Sequence, residues 1–166
     1  MGESGTPEHF RRSPYLKEVE QVFLGEYAHT IDEKGRMIIP ATFREALQGG
    51  AYISMGFDQN LIVWPTAIFE QILDRLSAMS VTDPNTRLLR RMFFSKASRV
   101  EFDKAGRILL PQHLREAAHL SGDAIVAGVG ETMEIWSHDL WAEQEQCIQD
   151  GKVNAERFAG LDLPLR

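Results

Sequence analysis

Residues 31 to 46, IDEKGRMIIPATFREA, are written a second time at residues 102 to 117 as FDKAGRILLPQHLREA. Seven of the sixteen aligned positions are identical (Asp, Gly, Arg, Pro, Arg, Glu and Ala), and five more are apolar in both copies. The match runs on with one residue inserted, setting Gly56 against Gly128, Leu61 against Met133, Val63 against Ile135 and Trp64 against Trp136. Each copy therefore spans about fifty residues, and a fold for this chain has to accommodate the same supersecondary unit twice.

Each unit reads as strand, turn, strand, short helix, strand, hairpin, strand. Asp32 and Gly35, with their mates Asp103 and Gly106, are suited to a tight reversal, because an Asp side chain bonds nearby N–H groups and Gly tolerates positive φ. The apolar triplets before Pro40 and Pro111 read as short buried strands. The prolines then suit the first turn of a helix that turns Phe43 and Leu114 inward. Hairpins are expected around Asp58 to Asn60 and around Gly130 and Glu131. Longer helices follow at 66–79, 85–95 and 138–149, each with an apolar face. One unit alone leaves sheet edges open and encloses no core, whereas two copies can interleave. The economical result is one compact α+β barrel built from both halves, with the two Asp-x-x-Gly-Arg turns at the same end.

The chain has 166 residues, 43% of them hydrophobic, enough for one ordinary domain or two fused small halves. Residues 1–21 show no sustained period and read as a flexible extension. Units are expected at 22–80 and 98–150, joined by a basic helix and linker at 81–97 and followed by a tail at 151–166. A single cysteine, Cys147, excludes an intramolecular disulfide and suits a reducing compartment. No apolar run reaches the roughly 18 residues of a spanning helix, so no membrane partner is expected and a cytoplasmic location is.

The net charge of −6 argues against a protein that coats nucleic acid by bulk charge, but the charge is unevenly placed. Residues 85 to 107 hold seven basic side chains against two acidic ones. Arg36 and Arg107 leave the two related turns with Lys34 and Lys104 beside them. Two readings stand: the arginines contact an anionic partner, naturally DNA, or they pair with Asp32 and Asp103 and stabilise the turns. Arg44 and Arg115, on helices next to Glu45 and Glu116, read as bracing the loops by ion pairing, the alternative being direct contact with a ligand. Arg87, Arg90 and Arg91 share one helix face, either solvated or set against phosphates or another subunit. Trp64, Trp136 and Trp141 read as core or interface anchors. Five histidines show no metal-ligand spacing, and no nucleophile elbow or phosphate-binding glycine loop occurs. Asp32 and Asp103 lack the Asp-Thr-Gly or Asp-Ser-Gly context of paired catalytic carboxylates, so no catalytic residue, metal, cofactor or small-molecule substrate is expected.

The stretches FLGEYAHTIDEKGRMIIPATFREAL and VEFDKAGRILLPQHLREAA, with the two strand-to-Trp segments, resemble the MraZ family of bacterial transcriptional regulators, built from two tandem AbrB-like units. The likeness covers about residues 22 to 150, and the Asp-x-x-x-Arg motif occurs in both halves. It implies a pseudo-two-fold, swapped-hairpin AbrB-type β-barrel with flanking helices. It further implies contact with double-stranded DNA through Lys34, Arg36, Lys104 and Arg107, on loops shaped by Asp32, Gly35, Asp103 and Gly106 and supported by Arg44 and Arg115. A homo-oligomeric ring, association with the nucleoid, and a target of directly repeated boxes in the promoter of the division and cell-wall gene cluster are implied as well. Lys34 aligns with Ala105 and Glu33 with Lys104, so the two loops need not read identical bases. The contrasting reading is a non-enzymatic oligomeric scaffold whose basic loops hold an acidic protein.

Overall fold

The computed structural model describes residues 22–162; the expected extension at 1–21 and the last four residues of the tail lie outside them. The first unit comprises β1 (Glu26–Thr30), β2 (Arg36–Ile38), α1 (Ala41–Ala46), β3 (Ala51–Met55) and β4 (Leu61–Pro65). Helices α2 (Thr66–Ala78) and α3 (Pro84–Phe94) follow. The second unit repeats the order as β5 (Ser98–Val100), β6 (Arg107–Leu109), α4 (Gln112–Ala117), β7 (Asp123–Gly128) and β8 (Met133–Ser137), then α5 (His138–Gln149) and α6 (Gly151–Phe158). The three long helices lie within a residue of their expected bounds. Helix α6 occupies the stretch read from sequence as a tail; none of its eight residues is buried.

The two units interleave. Six strands form one antiparallel sheet in the order β1-β7-β8-β4-β3-β5, and β2 pairs with β6 in a separate two-stranded ribbon. Exchanging each strand for its repeat mate reverses that order without changing it, so the sheet has the pseudo-two-fold symmetry of the sequence. Each unit's first strand pairs with the other unit's third: β1 with β7, and β5 with β3. Edge strand and ribbon are linked by single bridges, Ile31 to Met37 and Phe102 to Ile108. Those two bridges are not extended ladders, so the strands do not close into a continuous barrel; the tight turns after Ile31 and Phe102 leave room for one bridging pair each.

The core draws on both units equally. Phe23, Met37, Ile39, Leu47, Ile53 and Leu61 from the first meet Ile108, Leu110, Leu114, Met133 and Ile135 from the second, all at least 98% buried. Burying one such side chain contributes roughly 1.5–3 kcal/mol. Neither half retains this core alone, because every layer is shared. Phe43 and Leu114 point inward as expected from their place after Pro40 and Pro111.

The helices following each unit are dressed differently. After the first, Phe69 of α2 stacks on Tyr52 at 4.4 Å, and Phe93 of α3 meets Trp64 at 5.9 Å and Phe57 at 5.6 Å. The indole of Trp64 donates to Ser54 Oγ at 2.8 Å. Asp83 caps α3 by accepting from the Asn85 N–H at 2.8 Å, with Pro84 opening the helix. After the second unit, α5 is capped by Ser137, and Trp141 contacts Trp136 at 5.7 Å. Helix α6 packs on α5.

Candidate nucleic-acid interface

Each Asp-x-x-x-Arg stretch closes a turn around its own aspartate. Asp32 Oδ1 accepts from the backbone N–H groups of Lys34 and Arg36, both at 2.9 Å, and Oδ2 accepts from Arg36 Nε at 2.8 Å. Asp103 does the same with Ala105 at 2.9 Å, Arg107 at 3.0 Å and Arg107 Nε at 2.7 Å. Backbone bonds from Gly35 N–H to Asp32 O and from Gly106 N–H to Asp103 O complete the reversals. Gly35 and Gly106 adopt φ of +82° and +76°, the left-handed region that favours glycine. The donated hydrogen bonds, the arginine backbone N–H foremost, hold both carboxyls below their ordinary pKa despite some desolvation, so the turns carry ionised aspartates.

The turns are also fastened to each other. The carbonyl of Gly35 accepts from Leu110 N–H at 2.8 Å, and that of Gly106 from Ile39 N–H at 3.3 Å, each bond crossing between units. A β-carbon on Gly35 would lie 2.7 Å from the Arg115 guanidinium carbon, and one on Gly106 would meet the Arg44 guanidinium. Each helix arginine thus lies over the other unit's turn. Arg115 Nε donates to Leu110 O at 2.9 Å. The expected pairing of Arg44 with Glu45 and of Arg115 with Glu116 is not formed among the described residues, since sequence neighbours on a helix point apart. Both guanidinium groups pack across the pseudo-two-fold, against the other unit's glycine.

The ribbon places the arginines. In the β2/β6 register Arg36 lies opposite Leu109, Met37 opposite Ile108 and Ile38 opposite Arg107. Side chains alternate along a strand, so Met37 and Ile108 fill the core while Arg36, Ile38, Arg107 and Leu109 share the outward face. The apolar triplets are therefore not wholly buried strands. Ile38 is 48% exposed and Leu109 59% exposed, because a two-stranded ribbon has one face to give to the core. Lys34 and Lys104 stand exposed at the turn tips. Arg107 Nη1 approaches Asp32 Oδ2 at 3.9 Å, which brings both turns to one end of the molecule, as the repeat predicts.

Of the two sequence readings, the structure forms the pairing of Arg36 with Asp32 and of Arg107 with Asp103. Each Nε is committed to its own aspartate and Arg107 Nη1 also lies 3.9 Å from Asp32 Oδ2, so what each arginine can still offer an anion or a guanine edge is the remainder of its Nη edge. The basic helix is less uniform than its spacing suggests. Arg87 Nη1 donates to the carbonyls of Val81 and Thr82, at 3.0 and 3.1 Å, and ties the start of α3 to the preceding loop. Among the described residues no group of three or more His, Cys, Asp or Glu is placed to hold a metal ion, and no helix is long and apolar enough to cross a membrane.

The chain is two interleaved copies of one β unit, with a two-stranded ribbon that carries Arg36 and Arg107 beside Asp32 and Asp103 at one end. The family model described as "MraZ protein, putative antitoxin-like" matches twice in tandem, over residues 22–92 and 93–159. Proteins named transcriptional regulator MraZ are similar over most of the chain. That of Thermomicrobium roseum is 44% identical across 84% of this chain and 99% of its own length. That of Roseiflexus castenholzii is 44% identical across 87% and 99%, and that of Desulfitobacterium hafniense strain Y51 is 46% identical across 81% and 94%. The chain belongs to the MraZ family.

Proposed function

We propose that this protein is a sequence-specific transcriptional regulator that binds double-stranded DNA through the β2/β6 ribbon and its two turns. The observation that carries the reading is the common outward face of Arg36 and Arg107. A two-stranded antiparallel ribbon fits the B-DNA major groove, and an arginine Nη edge matches O6 and N7 of guanine. Lys34 and Lys104, at the turn tips, are placed for phosphates. Asp32, Gly35, Asp103 and Gly106 shape the loops, and Arg44 and Arg115 brace them. The relatives' name, transcriptional regulator, agrees with this use of the site.

The strand exchange between units supports a swapped-hairpin reading of the fold, with the units taken at 22–80 and 98–150. Two turns supply few basic side chains, and a net charge of −6 repels DNA over the rest of the surface. Tight binding then calls for several subunits on one duplex, in a homo-oligomeric ring whose turns line one rim. Engaging repeated boxes from one assembly raises avidity by roughly 10² to 10⁴. The family resemblance points to direct repeats in the promoter of the division and cell-wall gene cluster, and hence to work at the nucleoid. The test is a gel shift with DNA from upstream of the protein's own gene against a scrambled duplex. Arg36→Ala/Arg107→Ala is expected to abolish the preference while keeping fold and assembly; wild-type affinity in that double variant refutes the reading.

A further inference from the structure

We propose that Ile38 and Leu109 are specificity-determining residues that read thymine 5-methyl groups in the major groove, beside the bases engaged by Arg36 and Arg107. The inference rests on the DNA reading above and names a part of the target that the arginines cannot recognise. Scattered exposed apolar residues are ordinary on any protein surface. These two are not scattered. They are repeat mates, at the same place in the two copies, and they are the two apolar members of the one face that carries Arg36 and Arg107. About half of each side chain stands in solvent, while the residues on either side, Met37 and Ile39 or Ile108 and Leu110, are at most 1% exposed. The core thus takes its neighbours and leaves Ile38 and Leu109 free.

The occupant follows from the surroundings. An apolar protein surface is a poor match for a face flanked by Arg36, Arg107 and the exposed Lys34 and Lys104. A DNA groove offers anionic walls, acceptor edges on guanine, and one apolar group, the thymine methyl. Register sets the spacing. Arg36 is directly opposite Leu109, and Ile38 directly opposite Arg107. Opposed residues on one face have β-carbons about 4.5–5.5 Å apart, and base pairs rise about 3.4 Å along the axis. Each arginine and its apolar partner therefore span one to two base steps. The box should carry two guanine–thymine pairs of this spacing, one per turn, related by the ribbon's approximate two-fold.

Deoxyuridine differs from thymidine by the 5-methyl alone, which makes the test specific. The full-length protein is titrated with the shortest upstream duplex it binds in the gel shift. Each thymine position is replaced in turn by deoxyuridine, in every box at once. Two positions per box are expected to lose roughly fourfold or more in affinity, the equivalent of one apolar carbon returned to water. Ile38→Ala should be indifferent to uridine at one of them and Leu109→Ala at the other, while both variants still bind. Equal affinity for thymine and uridine at every position overturns the proposal and leaves the DNA reading standing. A changed subunit number for Ile38→Ala or Leu109→Ala by light scattering overturns it too, because the face would then be a contact between copies. Failure of the wild-type chain to prefer its upstream DNA over a scrambled duplex overturns both.

Discussion

The two halves of this protein agree closely at the turns and part company at the helices. Corresponding hydrogen bonds around Asp32 and Asp103 differ by no more than 0.1 Å. Beyond the sheet the first half carries an aromatic stack from Tyr52 to Phe94, whereas the second carries one tryptophan pair and a helix that buries nothing. The difference follows from what each part touches. A turn that shares a ribbon, a carbonyl bond and a packed guanidinium with its mate cannot change without disturbing the mate. Helices α2 and α3 pack on their own unit, so the pseudo-two-fold places no demand on α5 and α6.

Phe93→Ala breaks the comparison hardest. Its ring is 95% buried between Trp64 and Phe57, and its removal should cost about 3–5 kcal/mol by denaturant unfolding. Deleting residues 151–162 with the tail that follows should leave stability within about 1 kcal/mol, because no residue of α6 is buried. Comparable losses for both changes would mean that the second half hides a core of its own.

Next in size, Gly35→Val and Gly106→Val should each cost about 2–3 kcal/mol, from positive φ and from displacement of Arg115 or Arg44. The useful control is Arg44→Ala in the Gly106→Val background. It should recover the part of the loss due to crowding and none of the part due to φ. No recovery would show that the guanidinium yields freely.

Single loss of Arg36 or Arg107 sharpens the comparison on the functional side. Each alanine variant should weaken DNA discrimination by about 1–3 kcal/mol in titrations against matched and scrambled duplexes. Equal effects would mean that both turns read bases. An effect on all sequences alike from one of them would mark that turn as a phosphate contact.

The smallest effects are electrostatic. Asp32 and Asp103 have folded pKa values below their ordinary 3.8, so their contribution to stability is complete above that value and is lost as pH falls through the lowered one. A doubly substituted Asp32→Asn/Asp103→Asn chain should therefore show a shallower loss of stability in acid melts. Glu134 behaves oppositely: burial, with Asp58 nearby, raises its pKa against the bond it accepts from Asn60, so its ionised form opposes folding at neutral pH. Glu134→Gln should raise Tm by about 1–2 °C at pH 7 and lose that advantage in acid. A lower Tm at pH 7 would mean that the charge itself secures the Asn60 hairpin.

Much of this was legible in the chain. Duplication announced two equivalent units, Asp and Gly at fixed spacing announced the turns, and apolar periodicity placed α2, α3 and α5 to within a residue, because each signal is local. The long-range facts were not. The exposure of Ile38 and Leu109 depends on how many strands flank them, which the run Met-Ile-Ile or Ile-Leu-Leu does not encode. The packing of Arg44 on Gly106 and of Arg115 on Gly35 depends on strand exchange between units, and sequence adjacency pointed to Glu45 and Glu116 instead. The repeat by itself determined that this protein has two arginine turns; that they share one ribbon face with two exposed apolar side chains was decided by tertiary pairing, where each unit completes the sheet that the other leaves open.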